Sequence, residues 1–222
     1  MLQLEFLNQK YEQVNTVDRI YINMLQDIVD GVLFQGYKIV EEKLCEKYQC
    51  SRTPIREVLR RLESSGLIEI EKNRGAVVVG FSRQSYMDML MERREMEKLS
   101  LELAITRIKT GEMELLNQAK EFLSFYYPKH DIEVIVKVIK GFHQIIYHAS
   151  YNKRIEQEMN LFLQCSKRQD WDYLFIEQNL DDLYSYYMAI YESFNDGNIN
   201  RAVHVMDNIM NKFIGFAEAK YV

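Results

Sequence analysis

From Ile55 onward, apolar residues recur at 55, 58, 59 and 62, the stripe of a helix packed on a core. Ser51 or Thr53 stands where a cap is needed, Pro54 suits the first turn, and Gly66 is a natural stop. Upstream, Val17, Ile20, Tyr21, Met24, Leu25 and Ile28 mark another helix, ending near Gly31 or Gly36. Between them "VEEKLCEKYQC" predicts a short helix with Leu44 and Tyr48 turned inward. Downstream, "LIEIEKNRGAVVV" reads as two short strands joined by a turn at Asn73–Arg74–Gly75. Three helices followed by a β-hairpin predict a winged helix-turn-helix, in which the third helix enters the DNA major groove and the hairpin follows the backbone.

After Gly80 the strand pattern stops. Helical periodicity predicts six helices at about 83–108, 111–126, 131–149, 152–169, 174–195 and 198–219. Breaks are expected at Thr110–Gly111, Pro128, Ser150–Asn152, the "KRQDW" stretch and Asn195–Gly197. The chain is therefore expected to be mainly α, with domains at 1–80 and 81–222, joined by a short "GFSR" connection. The stretch "LYSYYMAIY" is dense enough in tyrosine to suggest a pocket wall, although core lining accounts for any single one of them.

Composition agrees with long helices: the 222 residues include only 9 Gly and 2 Pro. No apolar run is long enough for a transmembrane helix, and "MLQLEFLNQKYEQV" lacks the features of a secretory signal. Cys45, Cys50 and Cys165 lack zinc spacing, which predicts plain thiols in a reducing, cytoplasmic setting.

Charge adds a sharper clue. The formal net charge is −5, yet residues 43–61 hold Lys43, Lys47, Arg52, Arg56, Arg60 and Arg61 against only Glu46 and Glu57. A focused basic patch on an acidic chain suits a site-selective anion binder. At 100° per residue, Arg52, Arg56 and Arg60 form one ridge about 110° around from the apolar stripe. That ridge begins at the helix N-terminus, where free N–H groups and the dipole also favour an anion. Within this helix only Glu57 and Glu63 are available to balance four arginines.

These residues also carry a resemblance. "CSRTPIREVLRRLESSGLIEIEKNRGAVVV", with "DIVDGVLFQGYKIVEEKLCEKY" ahead of it, resembles the DNA-binding domain of the GntR family of bacterial transcription regulators over residues 17–80. The resemblance implies that Arg52 and Arg56 read guanine edges, that Ser51 and Thr53 hold phosphates, and that Gly75 sits at a wing tip near the minor groove. A guanidinium donating two parallel bonds to guanine O6 and N7 is the physical counterpart. Some relatives carry an arginine where this chain has Glu42; phosphate contact there falls to Lys43 or is absent.

The second half is similar, more loosely, to the effector domain of the FadR subgroup over residues 84–216. Arg93 and Glu97 in "ERREME", "GFHQIIYHASYNKRI" and "AIYESFNDGNINRAVHVM" carry the match. It implies an all-helical effector and dimerisation bundle that holds a small metabolite, often a carboxylate on a divalent metal. The subgroup's ligands are one Asp and three His. At the matching positions this chain has Ile139, His143, Tyr187 and Ile209, so one ligand of four is kept. One imidazole does not hold zinc or manganese, and no metal or other cofactor is expected. His148 and His204 lie nearby in sequence, yet 204 stands over a turn from the expected position.

A centre lined by Ile139, His143, Tyr187 and Ile209 is expected to be more apolar than that of metal-using relatives. Two alternatives stay open: a metal-free effector met by Arg93 or His143, or a pocket filled by side chains in a domain that only dimerises. For Arg93 a pair with Glu97 at i+4 stands beside the ligand role.

The expected function is a homodimeric transcription regulator, a repressor on a palindromic double-stranded DNA operator, tuned by a small-molecule effector. The alternative is a regulator or architectural DNA binder whose C-terminal domain takes no effector. An enzyme is disfavoured: His143 and His148 stand about 140° apart on a helix, and no Gly-rich phosphate loop is present.

Overall fold

The computed structural model describes residues 15–71, 75–79, 83–165 and 177–221. The protein is mainly α, and it divides into two compact units, one ending at Tyr86 and the other starting at Met87.

The first unit contains helices α1 (Thr16–Val29), α2 (Glu41–Tyr48) and α3 (Arg52–Ser64). Asn15 caps α1, its side chain accepting from the Asp18 N–H at 2.9 Å. Ile20, Met24, Leu25 and Ile28 of α1 are buried, and α1 packs on α3 through the latter's Ile55, Val58, Leu59 and Leu62. The α2 helix differs from expectation. Leu44 and Tyr48 are only half-buried, because this eight-residue helix buries none of its residues fully. A small sheet completes the unit, with β1 (Lys38–Ile39), β2 (Ile68–Glu71) and β3 (Gly75–Val78) in the order β1-β3-β2, all antiparallel. Alternation sets its buried face: Ile39, Ile68, Ala76 and Val78 point inward. Strand β1 is an addition to the expected hairpin, too short at two residues to show a period.

The second unit is a helical bundle of α4 (Arg83–Arg107, from Met87 onward), α5 (Thr110–Tyr126), α6 (Ile132–Ala149), α7 (Lys153–Cys165), α8 (Glu177–Asp196) and α9 (Ile199–Tyr221). Helix α5 packs on α6 and α8, α6 on α7, and α8 on α9. Helix α6 lies deepest, with every residue from Gly141 to Tyr147 buried. Asp131 caps it, accepting from the Val134 N–H at 3.2 Å. Asn152 caps α7 through bonds from the Arg154 and Ile155 N–H groups.

One expected break moves. Thr110 and Gly111 lie inside the first turn of α5, since the Glu112 carboxylate accepts from the Lys109 N–H at 3.1 Å and starts the helix there. The fourth of the six helices is described as far as Cys165; its expected remainder to 169 and "KRQDW" lie outside the described residues, as do residues 80–82 of the short connection. Among the described residues no helix is long and apolar enough to cross a membrane.

Candidate nucleic-acid interface and buried polar centre

The N-terminal half of α3 presents the expected face. Ser51, Arg52, Thr53, Arg56 and Arg60 are all exposed, while Ile55, Val58, Leu59 and Leu62 hold the opposite side in the core. Ser51 occupies the N-cap position with extended backbone, yet its hydroxyl makes no capping bond and stays available to an outside acceptor or donor. Lys43 on α2 is also exposed.

Acid from the neighbouring helix balances part of the ridge, which corrects the charge reading. Arg56 Nε lies 3.0 Å from a Glu41 carboxylate oxygen, and Arg52 stands 3.8 Å from Glu42. Neither glutamate is on α3, so counting Glu57 and Glu63 alone missed both. Glu63 instead accepts from the Ile70 N–H at 3.2 Å and fastens β2 to α3. Arg60 has no such partner among the described residues. Arg61 lies off the ridge: it pairs with Asp18 and covers the Tyr21 ring at 4.4 Å, tying α3 to α1. Lys47 is likewise engaged, and its bond to Asp27 at 3.0 Å raises its pKa.

The wing follows from one glycine. Gly75 has φ +89°, and a Cβ there would meet the Ile39 carbonyl oxygen at 2.8 Å. Only glycine fits this position without displacing β1 from β3. Arg74, placed by sequence in the same turn, lies outside the described residues.

The centre of the helical unit holds a buried polar cluster. Arg93 and Glu97 of α4, His143 and Tyr147 of α6, and Tyr187 of α8 are all buried. Glu97 Oε1 lies 3.4 Å from Arg93 Nε and accepts from the Tyr147 hydroxyl at 2.6 Å. Glu97 Oε2 is 3.1 Å from His143 Nδ1, and His143 Nε2 is 2.6 Å from the Tyr187 hydroxyl. The Glu97 carboxylate accepts only, so the ring proton on this side sits on Nδ1, while Nε2 pairs with the Tyr187 hydroxyl. Burial pushes the Glu97 carboxyl up, but His143, Arg93 and Tyr147 outweigh it and hold the group below its ordinary value. Burial and the facing Glu97 raise the Tyr147 phenol well above its own.

Sequence reasoning placed Arg93, His143 and Tyr187 here but not their hub. Glu97 was visible as the i+4 neighbour of Arg93 and as part of the matched "ERREME", and Tyr147 only as an ordinary tyrosine one turn beyond His143. Ile209 is buried and Ile139 half-buried, and neither supplies a ligand atom. With both His143 nitrogens engaged, the centre does not fit the metal site of the subgroup. Among the described residues no group of three or more His, Cys, Asp or Glu could hold a metal ion. His148 is bonded to Glu156 at 2.9 Å and His204 to Asn208 at 3.2 Å.

The "LYSYYMAIY" tyrosines divide their roles. Tyr187 joins the buried network, Tyr184 stacks on Tyr127 at 4.2 Å, and Tyr191 lines an open surface groove with Ile108, Met113 and Phe194.

Comparison with known proteins places both units. Residues 16–78 match the family described as bacterial regulatory proteins, gntR family, and residues 88–212 match the FCD domain. An uncharacterised HTH-type transcriptional regulator of Bacillus subtilis, YdhC, is 25% identical over 140 residues, 62% of each chain. The galactonate operon transcriptional repressor of Escherichia coli is 40% identical over 76 residues, 34% of this chain and 33% of that one. The chain thus spans less than two thirds of the length of these relatives. The solved structure of Escherichia coli McbR/YncC superposes with a TM-score of 0.66 at 21% identity, covering 95% of this chain and all of that one, a likeness of fold.

Proposed function

Since the chain belongs to the GntR family of bacterial regulators and carries an FCD domain, we propose that it is a homodimeric, sequence-specific DNA-binding repressor tuned by a small-molecule effector. Residues 1–80 would bind DNA and residues 81–222 would dimerise and take the effector. The family's members are transcription regulators, which points away from an enzyme.

The observation that carries this reading is the exposed row Arg52, Arg56, Arg60 at the start of a helix whose other face is anchored in the core. In it Arg52 and Arg56 read guanine edges in the major groove, while Ser51, Thr53, Lys43 and Arg60 meet phosphates. Arg74 and Gly75 bring the wing to the backbone beside the minor groove. One short helix supplies too few contacts for tight specific binding, so two copies act on a palindrome. Footprinting on the DNA that flanks its gene tests this. A protected palindrome that Arg52→Ala and Arg56→Ala abolish supports it; uniform salt-sensitive binding with no footprint overturns it.

A second reading is favoured by the closed hydrogen bonding of Glu97, His143, Tyr147 and Tyr187. Groups that satisfy one another leave little for a ligand to add, which suits a helical unit that dimerises without an effector. A thermal-shift screen against metabolites separates the two: a stabilising compound supports the effector reading.

A further inference from the structure

Cys45 and Cys50 are brought together by the way α2 ends. Gln49 adopts a left-handed conformation, φ 50°. Its N–H donates to the Glu46 carbonyl at 3.3 Å, and the Cys50 N–H donates to the Cys45 carbonyl at 3.1 Å. This nested pair of bonds is a helix-closing motif, and a side-chain contact between the two residues joined by its outer bond frequently accompanies it. Apolar residues ordinarily fill that contact. Here both positions carry thiols, and both are only half-buried. Two residues held by such a bond stand within the separation that a disulfide spans.

The location gives the pair leverage. Cys50 directly precedes Ser51, the N-cap of α3, and Arg52, its first residue. We propose that Cys45 and Cys50 are a redox-responsive dithiol that closes to a disulfide under peroxide and thereby alters the start of α3. One thiolate attacks the O–O bond of hydrogen peroxide, releasing hydroxide and leaving a sulfenic acid. The second thiolate attacks that sulfur, forms the S–S bond and expels a second hydroxide. With the two thiol protons the products are the disulfide and two waters; peroxide is reduced and the sulfurs oxidised by two electrons. Burial and the neighbouring Cys45 push the Cys50 thiol above its ordinary value, against the pull of Arg19. Closure therefore calls for sustained peroxide, and a dithiol reductant reverses it.

A disulfide imposes its own dihedral and Cβ separation on the turn, so Ser51 and Arg52 shift with Cys50. The effect on DNA rests on the proposed DNA-binding role of α3; the disulfide itself does not. The test uses the full chain as Cys165→Ser, which removes the third cysteine. After hydrogen peroxide, denaturing alkylation and trypsin, cleavage after Lys43, Lys47 and Arg52 leaves the disulfide joining peptide 44–47 to peptide 48–52. The linked pair should vanish with dithiothreitol and in Cys45→Ser, and hydrogen exchange over residues 51–56 should change on oxidation. Affinity for a duplex from the region upstream of its own gene should fall about fivefold or more, the size of one lost base contact, while Cys45→Ser binds alike in both conditions. Failure of the linked peptide to form, or its formation with exchange over 51–56 unchanged, overturns the proposal. If the reduced protein ignores the duplex, the DNA-binding reading fails on that fragment, and mass and exchange still decide the disulfide.

Discussion

Arg56 Nε lies 3.0 and 3.2 Å from the two carboxylate oxygens of Glu41, so a prospective base-reading arginine is held by an acid from the preceding helix. Both side chains keep solvent contact, which limits the pair to roughly 0–1 kcal/mol. Guanine O6 and N7 offer the same guanidinium two acceptors without a competing charge nearby. Glu41→Gln should therefore tighten DNA binding by up to about 1 kcal/mol at low salt. Arg52→Ala and Arg56→Ala should each weaken specific binding by about 1–3 kcal/mol, and non-specific binding much less. Anisotropy titrations at one fixed salt concentration check all three, and wild-type affinity in both arginine variants would refute the assignment.

Gly75→Ala should destabilise the wing. The new methyl would sit 2.8 Å from the Ile39 carbonyl oxygen on a backbone with φ +89°. Strain of this kind costs on the order of 1–3 kcal/mol. Urea denaturation of the full chain reads the loss, and an unchanged midpoint would mean that the β1–β3 edge gives way freely.

The sequence made the anchored side of α3 legible because Ile55, Val58, Leu59 and Leu62 repeat at the helical period and all four are buried. It made the exposed ridge legible for the same reason, since a helix fixed on one face has its other face fixed too. Contacts between distant positions left no such trace. Glu41 reaches Arg56 across 15 residues and Glu97 reaches His143 across 46, and no periodicity links either pair. The buried polar cluster stayed hidden for this reason: the lost metal ligands were visible, but the glutamate that pairs with His143 stands on a helix read separately. Strand β1 stayed hidden because two residues cannot show an alternation.

The purified protein should carry no stoichiometric zinc, manganese or nickel. His143 spends one nitrogen on Glu97 and the other on Tyr187, and isoleucines occupy two of the ligand positions of the metal-using relatives. A metal would have to break the 2.6 Å bond to Tyr187 and still find three more ligands. Elemental analysis giving about one metal per chain would contradict this.

The buried network should be worth most near neutral pH. Tyr187→Phe removes the hydroxyl that meets His143 Nε2 and leaves a buried nitrogen without its hydrogen-bond partner, at a cost of about 1–3 kcal/mol. Glu97→Gln keeps the shape and removes the charge. Because the folded protein holds the Glu97 carboxyl below its ordinary value, the unfolded chain takes up this proton first as pH falls. The ionised carboxylate thus contributes stability that is complete above the ordinary carboxylate range and lost as pH falls through the folded value. The stability gap between wild type and Glu97→Gln should be widest near pH ~7 and narrow below about pH 4. Urea midpoints measured from neutral to acid pH give the gap directly. A gap that stays constant into acid would show that Glu97 acts through its shape and hydrogen bonds rather than its charge.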